Sequence, residues 1–383
     1  MPLPENGCEA CHCVWMSEVL AANAQRVLTA VSDWLAEPAS PASKIWLVTV
    51  VETYGSSPRP AGSLMALRIP PQDSGTHPEI VGSVSGGCLE QDLIERLSSG
   101  VVSVLPQWQV YGETSEEQSR YQLPCGGSLT VVLEPVYRDE AAVDHFALLV
   151  KSLSQRLQIA REVNLQTGLR SIINAGTAGR YLSANGADAV SMAGSTMTHR
   201  IYPRWRLLVL GASEVTLYLS TFAAAADFEV SICEPREDYA AGWRESAPLY
   251  RRLPDELIGE AFNDAFVAIV GVSHDPRVDD MGLMAALDTK AFFVGCMGSK
   301  KTSEGRRARL KDLGISDYQL AKLHAPVGID IGSKTPAEIA ISIVAQLVAE
   351  RKRCLESLST PVVNKMLSNE VLPTPFRKIT CNA

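Results

Sequence analysis

No stretch of this 383-residue chain reaches the roughly 18 apolar residues in a row that a membrane-spanning helix needs. The first residues carry neither a basic n-region nor an apolar h-region, so no secretion signal is read there and the protein is expected in the cytoplasm. In that compartment its nine cysteines are expected as thiols, not disulfides. Positive charge is not in excess either: 35 basic residues stand against 43 acidic, a net charge of −8. A nucleic-acid partner asks for a basic footprint and is therefore not expected, and neither is a membrane. No internal repeat is found. What the chain does have is apolar content, 46% of its residues, on a length that suits two or three domains with real cores.

Near the start, Cys8-Glu9-Ala10-Cys11-His12-Cys13 fits a haem-attachment pattern, but that chemistry belongs outside the cytoplasm. A disordered extension over 1–17 is the expectation, with a metal site of Cys8, Cys11, Cys13 and His12 as the alternative. The spacing of Val19, Leu20, Ala24, Val27, Leu28, Val31 and Trp34 predicts a helix over 18–35. Apolar runs predict strands at 45–51, 64–69, 80–84 and 129–136, with a helix over 88–97, closing a first domain at 18–137. A helix over 140–153 and short strand-like runs read as a connecting subdomain, 138–205. Strands at 207–210, 229–233, 266–270 and 291–294 then alternate with helices, one over 213–225. This predicts a doubly wound parallel sheet over 206–353. The last helix, 336–352, opens with Thr335 as N-cap, Pro336 first and Glu338 third, and a mobile tail is expected over 354–383.

Several short motifs carry chemistry. Gly86-Gly87-Cys88 lies where a strand passes into a helix, so unpaired amides and the helix dipole favour a thiolate at Cys88. The paired glycines let backbone approach a bound group. Cys125-Gly126-Gly127 repeats the pattern before another strand. For both, the alternative is a small buried side chain beside a glycine turn. The loop Gly55-Ser-Ser57-Pro-Arg59-Pro offers a planar guanidinium and hydroxyls to a phosphate or carboxylate. Gly211-Ala-Ser-Glu-Val-Thr216 occupies the slot of the dinucleotide fingerprint, and Glu234 stands where an acid holds a ribose hydroxyl. Ser213 and Thr216 replace the second and third glycines, so a Rossmann-like fold is expected there and NAD is not. His274-Asp275-Pro276 follows a strand at the carboxyl end of the sheet, with His274 as an acid–base or donor group. Ser299 and Lys300 open a helix bearing Arg306, Arg307 and Arg309, which can receive an anion or an acidic partner, or present a solvated face.

Together, Gly55-SSPRPAG-Ser63, Gly82-SVSGGCLE-Gln91, Leu123-PCGG-Ser128, His274-DP, Gly295-CMGSKKT-Ser303 and Pro326-VGIDIGSKTPAEIAISI-Val344 resemble the XdhC/CoxI family. Its members are maturation factors of molybdenum hydroxylases of the xanthine dehydrogenase type, and the resemblance spans 18–352. It implies an N-terminal XdhC/CoxI-type α/β domain followed by a C-terminal Rossmann-like doubly wound parallel sheet. It implies a chaperone with no turnover of its own. The cargo is molybdenum cofactor, as molybdopterin or its cytosine dinucleotide form. A cysteine desulfurase supplies the terminal sulfur, and a molybdenum hydroxylase apoenzyme receives the cargo. By the same resemblance Cys88 and Cys125 handle the ligand. Gly86, Gly87, Gly126, Gly127, Ser57, Arg59, Gly211, Glu234, His274, Asp275, Ser299 and Lys300 are the further cofactor-binding candidates. The family usually has Gly-Ala-Gly-His where this chain has Gly211-Ala-Ser-Glu214. Rival readings are an NAD(P)-dependent oxidoreductase and a scaffold that docks desulfurase to apoenzyme without holding cofactor. A homodimer is left open.

Overall fold

The computed structural model describes residues 23–37, 43–55, 59–71, 74–87, 89–99, 103–112, 114, 117, 127–174 and 189–359. The Cys8 to Cys13 run, Ser57, Cys88, Cys125, Gly126 and the tail beyond 359 lie outside the described residues.

The first sheet contains β1 (Lys44–Tyr54), β2 (Leu64–Ile69), β3 (Glu79–Gly82), β4 (Gln107–Tyr111) and β5 (Ser128–Val136), in the order β3-β2-β1-β5-β4. Every pairing in it is antiparallel. Both faces are covered, which is why β1 reads as a continuous apolar run and not as an alternation. Trp46, Val48 and Val50 pack with Leu93 and Leu97 of helix α2 (Glu90–Ser98). Ile45 and Leu47 pack on the other face with Val27, Leu28 and Val31 of α1 (Ala24–Ala36) and Phe146 and Leu149 of α3 (Glu140–Ser154). Asn23 caps α1 by accepting from the Arg26 amide at 3.0 Å. Strand β4 is absent from the sequence reading. It is a five-residue edge strand, Gln-Trp-Gln-Val-Tyr, whose Trp108 is exposed, so no run of apolar residues announces it.

A second sheet, in the order β7-β6-β9-β8, is built from β6 (Ile159–Asn164), β7 (Arg170–Asn174), β8 (Val190–Ala193) and β9 (Thr196–Ile201). It packs on the first. Val163, Val190 and Met197 meet Val132, and Ile159 and Ile201 join the core under α1 and α3. Residues 138–205 therefore share their core with the first sheet. Between the sheets Glu134, fully buried, accepts from Arg161 Nη2 at 2.6 and 2.7 Å and from Arg170 Nε at 2.6 Å.

The chain then builds a parallel sheet from β10 (Trp205–Leu210), β11 (Phe228–Cys233), β12 (Leu249–Tyr250), β13 (Val267–Gly271), β14 (Phe293–Cys296) and β15 (Leu323–His324). Their order, β12-β11-β10-β13-β14-β15, is the 3-2-1-4-5-6 order of the Rossmann fold. Helices α4 (Glu214–Ala225) and α10 (Pro336–Ser359) cover one face. Helices α6 (Pro254–Ala261) and α7 (Pro276–Leu287) cover the other, α5 and α9 being the short Glu237–Ala240 and Asp317–Leu320. Helix α10 starts as its sequence predicts: the Glu338 amide donates to Thr335 Oγ1, and Glu338 accepts from the Thr335 amide at 3.1 Å. Among the described residues no helix is long and apolar enough to cross a membrane.

Candidate functional site

The antiparallel topology brings three glycine motifs to one end of the first sheet. There β1 leaves into Gly55, β2 begins after Gly62 and Ser63, β3 leaves at Gly82 into Ser83, and β5 begins after Gly127. Gly82 is forced by space as well as by its φ of +89°. A Cβ there would stand 2.3 Å from the Leu64 carbonyl oxygen and 2.7 Å from Val27. Gly86 and Gly87 also have positive φ, 81° and 122°, but both are exposed, and a Cβ on Gly87 would meet nothing within 4 Å. Their role in the fold is to turn the backbone.

What this loop turns around is Glu90, only 3% exposed. Its carboxylate accepts from Ser83 Oγ at 2.6 Å and from Ser85 Oγ. It also accepts from the amides of Val84, Ser85, Gly87 and Leu89 at 3.0, 3.0, 2.9 and 3.2 Å. Burial opposes the charged form, yet the serine hydroxyls and backbone amides outweigh it and hold the Glu90 carboxyl below its ordinary value. Amide donors that the sequence reading offers to a bound group are thus turned inward onto this side chain. Sequence reasoning missed Glu90. Its signal was an acid in the first helical turn directly after a Ser-x-Ser-Gly-Gly loop.

The same sheet end forms one wall of a cleft of about 500 Å³ between the N-terminal unit and the Rossmann sheet. Arg59, Gly62, Ser63 and Ser83 line it from the first sheet, and His199 and Arg200 from the second. Arg204, Asp227 and Arg351 line it from the other side. Gly62 closes tightly on this wall, since a Cβ would come within 2.8 Å of Ala189. Of the sequence candidates, Arg59 therefore reaches the cleft, and Gly62, Ser63 and Ser83 bring two of the glycine motifs to it.

The Rossmann candidates lie elsewhere, at the carboxyl ends of β10, β11, β13 and β14. Gly211 approaches Ser273 so closely that a Cβ would be 2.5 Å from its Cα. Ser213 caps α4 in a reciprocal box with Thr216: the Thr216 amide donates to Ser213 Oγ at 3.4 Å, and the Ser213 amide donates to Thr216 Oγ1 at 3.1 Å. Glu234 is fully buried. It accepts from the Ala212 amide at 2.9 Å and from Arg236 Nε and Nη2 at 2.8 and 2.7 Å. The amides that receive a pyrophosphate and the acid that receives a ribose in a dinucleotide site are here engaged with each other or with protein.

His274 is exposed at the end of β13 with φ +62°, a backbone region uncommon for a residue with a side chain. Asp275 caps α7. Arg277, donating through its side chain and its amide, holds the Asp275 carboxyl down at about 2. Ser299 caps α8 (Lys300–Asp312), accepting from the Thr302 amide at 3.1 Å, and Lys300 is exposed. The arginines of α8 are not an anion receiver. Arg306 is buried against Asp279 and Asp280, Arg309 pairs with Asp280, and Arg307 donates to the carbonyls of Leu320 and Leu323. Two opposing carboxylates and the carbonyl ends of a neighbouring turn satisfy these guanidiniums. The thiols of Cys233 and Cys296 are buried, and burial pushes Cys233 up to about 12 and Cys296 further, so both are inert neutral side chains.

Fold and site together define a class: a two-part α/β protein in which a glycine-rich sheet end faces a Rossmann sheet across a cleft. A model of the XdhC Rossmann domain matches residues 207–347, and one of the XdhC and CoxI family matches residues 40–101. The chain belongs to the XdhC and CoxI family. It is 24% identical to a protein of Bacillus subtilis described as a probable subunit of xanthine dehydrogenase, over 80% of this chain and 93% of that one. It is 26% identical to the molybdenum cofactor insertion chaperone PaoD of Escherichia coli, over 80% of this chain and 83% of that one. A crystal structure of a xanthine dehydrogenase from Bacillus halodurans matches with a TM-score of 0.62 at 24% identity. The match covers 85% of this chain and 96% of that chain, and the two share the fold.

Proposed function

We propose that this protein is an accessory factor that binds molybdenum cofactor, protects it during sulfuration and delivers it to a molybdenum hydroxylase apoenzyme. The observation that carries this reading is the convergence of three glycine motifs at one end of the first sheet, two of them lining an arginine-rich cleft. Family membership and the relative named as a cofactor insertion chaperone support it. In this reading Cys88 and Cys125, adjoining Gly87 and Gly126, offer soft thiolates to molybdenum or sulfur, and arginine forks hold the phosphate-bearing part. A cysteine desulfurase is the sulfur donor, the setting is the cytoplasm, and the protein turns over no substrate itself.

The test expresses the Cys88→Ala and Cys125→Ala double variant in a host that makes molybdenum cofactor. Bound pterin per protein is measured, with circular dichroism as the folding control. The variant is expected to lose most of its pterin while keeping its fold. An unchanged stoichiometry removes the thiols from the reading.

A further inference from the structure

We infer that the cleft between the two units is an organic-phosphate site whose grip is completed by Arg204 and Arg351, residues outside every motif that identifies the family. The inference deepens the proposed function by saying where the phosphate end of the cargo rests.

The cleft opens on the amino-terminal edge of the parallel sheet. Trp205, which starts β10, and Asp227, which precedes β11, both line it. A dinucleotide crevice lies at the opposite, carboxyl edge of such a sheet. Here that edge is closed by Glu234, Arg236 and the Ser213 cap. The phosphate-binding role is thereby shifted to the other end of the domain.

The chemistry of the cleft wall fits an anion. Among the described lining residues four are arginines, Arg59, Arg200, Arg204 and Arg351, and one is acidic, Asp227. Arg351 is fixed but not neutralised. Its Nη1 donates to the Ala226 carbonyl at 2.9 Å, and its guanidinium stacks 4.7 Å from the Phe228 ring centre. Arg204 Nε is buried and has no hydrogen-bond partner among the described residues. The same holds for Nδ1 of His199, a side chain only 2% exposed. Asp227 feels the charges of Arg204, Arg351 and Arg59, yet among the described residues neither Arg204 nor Arg351 closes an ion pair with it within 4.0 Å. Burial lowers Arg351 below the ordinary guanidinium range and raises Asp227, in each case outweighing the attraction of the opposite charges nearby. Planar forks facing a volume of about 500 Å³ suit a phosphate or diphosphate on an organic body. The wall comes from both units, so an occupant ties them together.

Calorimetric titration of the full chain with inorganic pyrophosphate tests the cleft. Binding is expected, and Arg204→Gln and Arg351→Gln are each expected to weaken it about tenfold or more. Arg252→Gln, which removes a surface arginine paired with Glu260, leaves it unchanged. Thermal midpoints check that the variants fold, and Arg204→Gln, removing the side chain with the unpartnered Nε, keeps the test open if Arg351→Gln does not. No heat with the wild type, or wild-type affinity in both variants, overturns the inference. Pterin retained from a cofactor-producing host is the second arm. Pterin held equally by wild type and variants overturns the cleft and leaves the chaperone reading standing. Pyrophosphate binding that falls in the variants, with no pterin on the wild type, supports the cleft and removes the chaperone reading. Orthophosphate binding as tightly as pyrophosphate, without pterin, makes this a free-phosphate site and overturns the organic ligand.

Discussion

His145 and His199 are held neutral inside the N-terminal unit. Burial first, then the positive charge of Arg161, pulls both down from 6.5 to about 3. His199 stands directly opposite Arg161 in the β6–β9 pairing, and among the described residues Arg161 pairs with one carboxylate, Glu134, which it shares with Arg170. An unfolded chain protonates both histidines near pH 6.5, whereas the native one resists until about pH 3. The unfolded state therefore binds more protons throughout that window, and stability falls as pH falls through it. The expected slope is up to about 1.4 kcal/mol per pH unit for each histidine. Urea unfolding at several pH values between neutrality and mild acid measures it. The H145Q/H199Q double variant should lose most of the slope, His324, also lowered by burial, keeping a remainder. An identical acid loss in that variant defeats the assignment.

At the scale of elements, two glycines in the same loop region have different physical reasons. Gly82 is hemmed in by the Leu64 carbonyl and Val27, whereas Gly87 opens to space. Gly82→Ala must push β3 off β2 and is expected to destabilise by about 3 kcal/mol or more, combining overpacking with a left-handed backbone penalty. Gly87→Ala carries the backbone penalty alone, about 1–2 kcal/mol. Chemical denaturation of the two variants compares them, and equal losses would mean that the close approach at Gly82 is relieved by movement. The same contrast explains what was legible here. Strands buried on both faces stand out as β-branched runs, and the Thr335-Pro336-Ala337-Glu338 start marks itself. Glu90 did not stand out, because an acid at a helix start normally reads as a solvated charge serving the dipole. Only the closed loop makes it the centre of six hydrogen bonds.

The two units are clamped across the molecule by Asp264. It accepts from Arg156 Nε at 3.0 Å and Nη2 at 3.1 Å, and from Arg206 Nη2 at 2.6 Å. Arg156 also donates to the Arg204 carbonyl at 2.6 Å, so the clamp holds the backbone that carries the cleft arginine. Asp264→Asn keeps the shape and removes the charge. It is expected to cost about 1–3 kcal/mol and to separate the unfolding of the Rossmann sheet from that of the N-terminal unit. Scanning calorimetry reads this directly, and a single unshifted transition would show that the clamp does not couple the units.

By itself the sequence determined the alternation that makes a doubly wound sheet, the cap of its last helix, the interrupted dinucleotide fingerprint and the family. Each of these depends on residues within a few positions of one another, where periodicity, φ preference and capping act. Only the tertiary structure decided that Arg59, His199, Arg204, Asp227 and Arg351 share one cleft, and that Glu234 is closed by its own neighbours. Arg156 and Asp264 are 108 residues apart, and the cleft arginines are spread from 59 to 351. A charge can be counted in a sequence, but its partner is set by which faces of which sheets bury against each other, and that is a property of the packed chain.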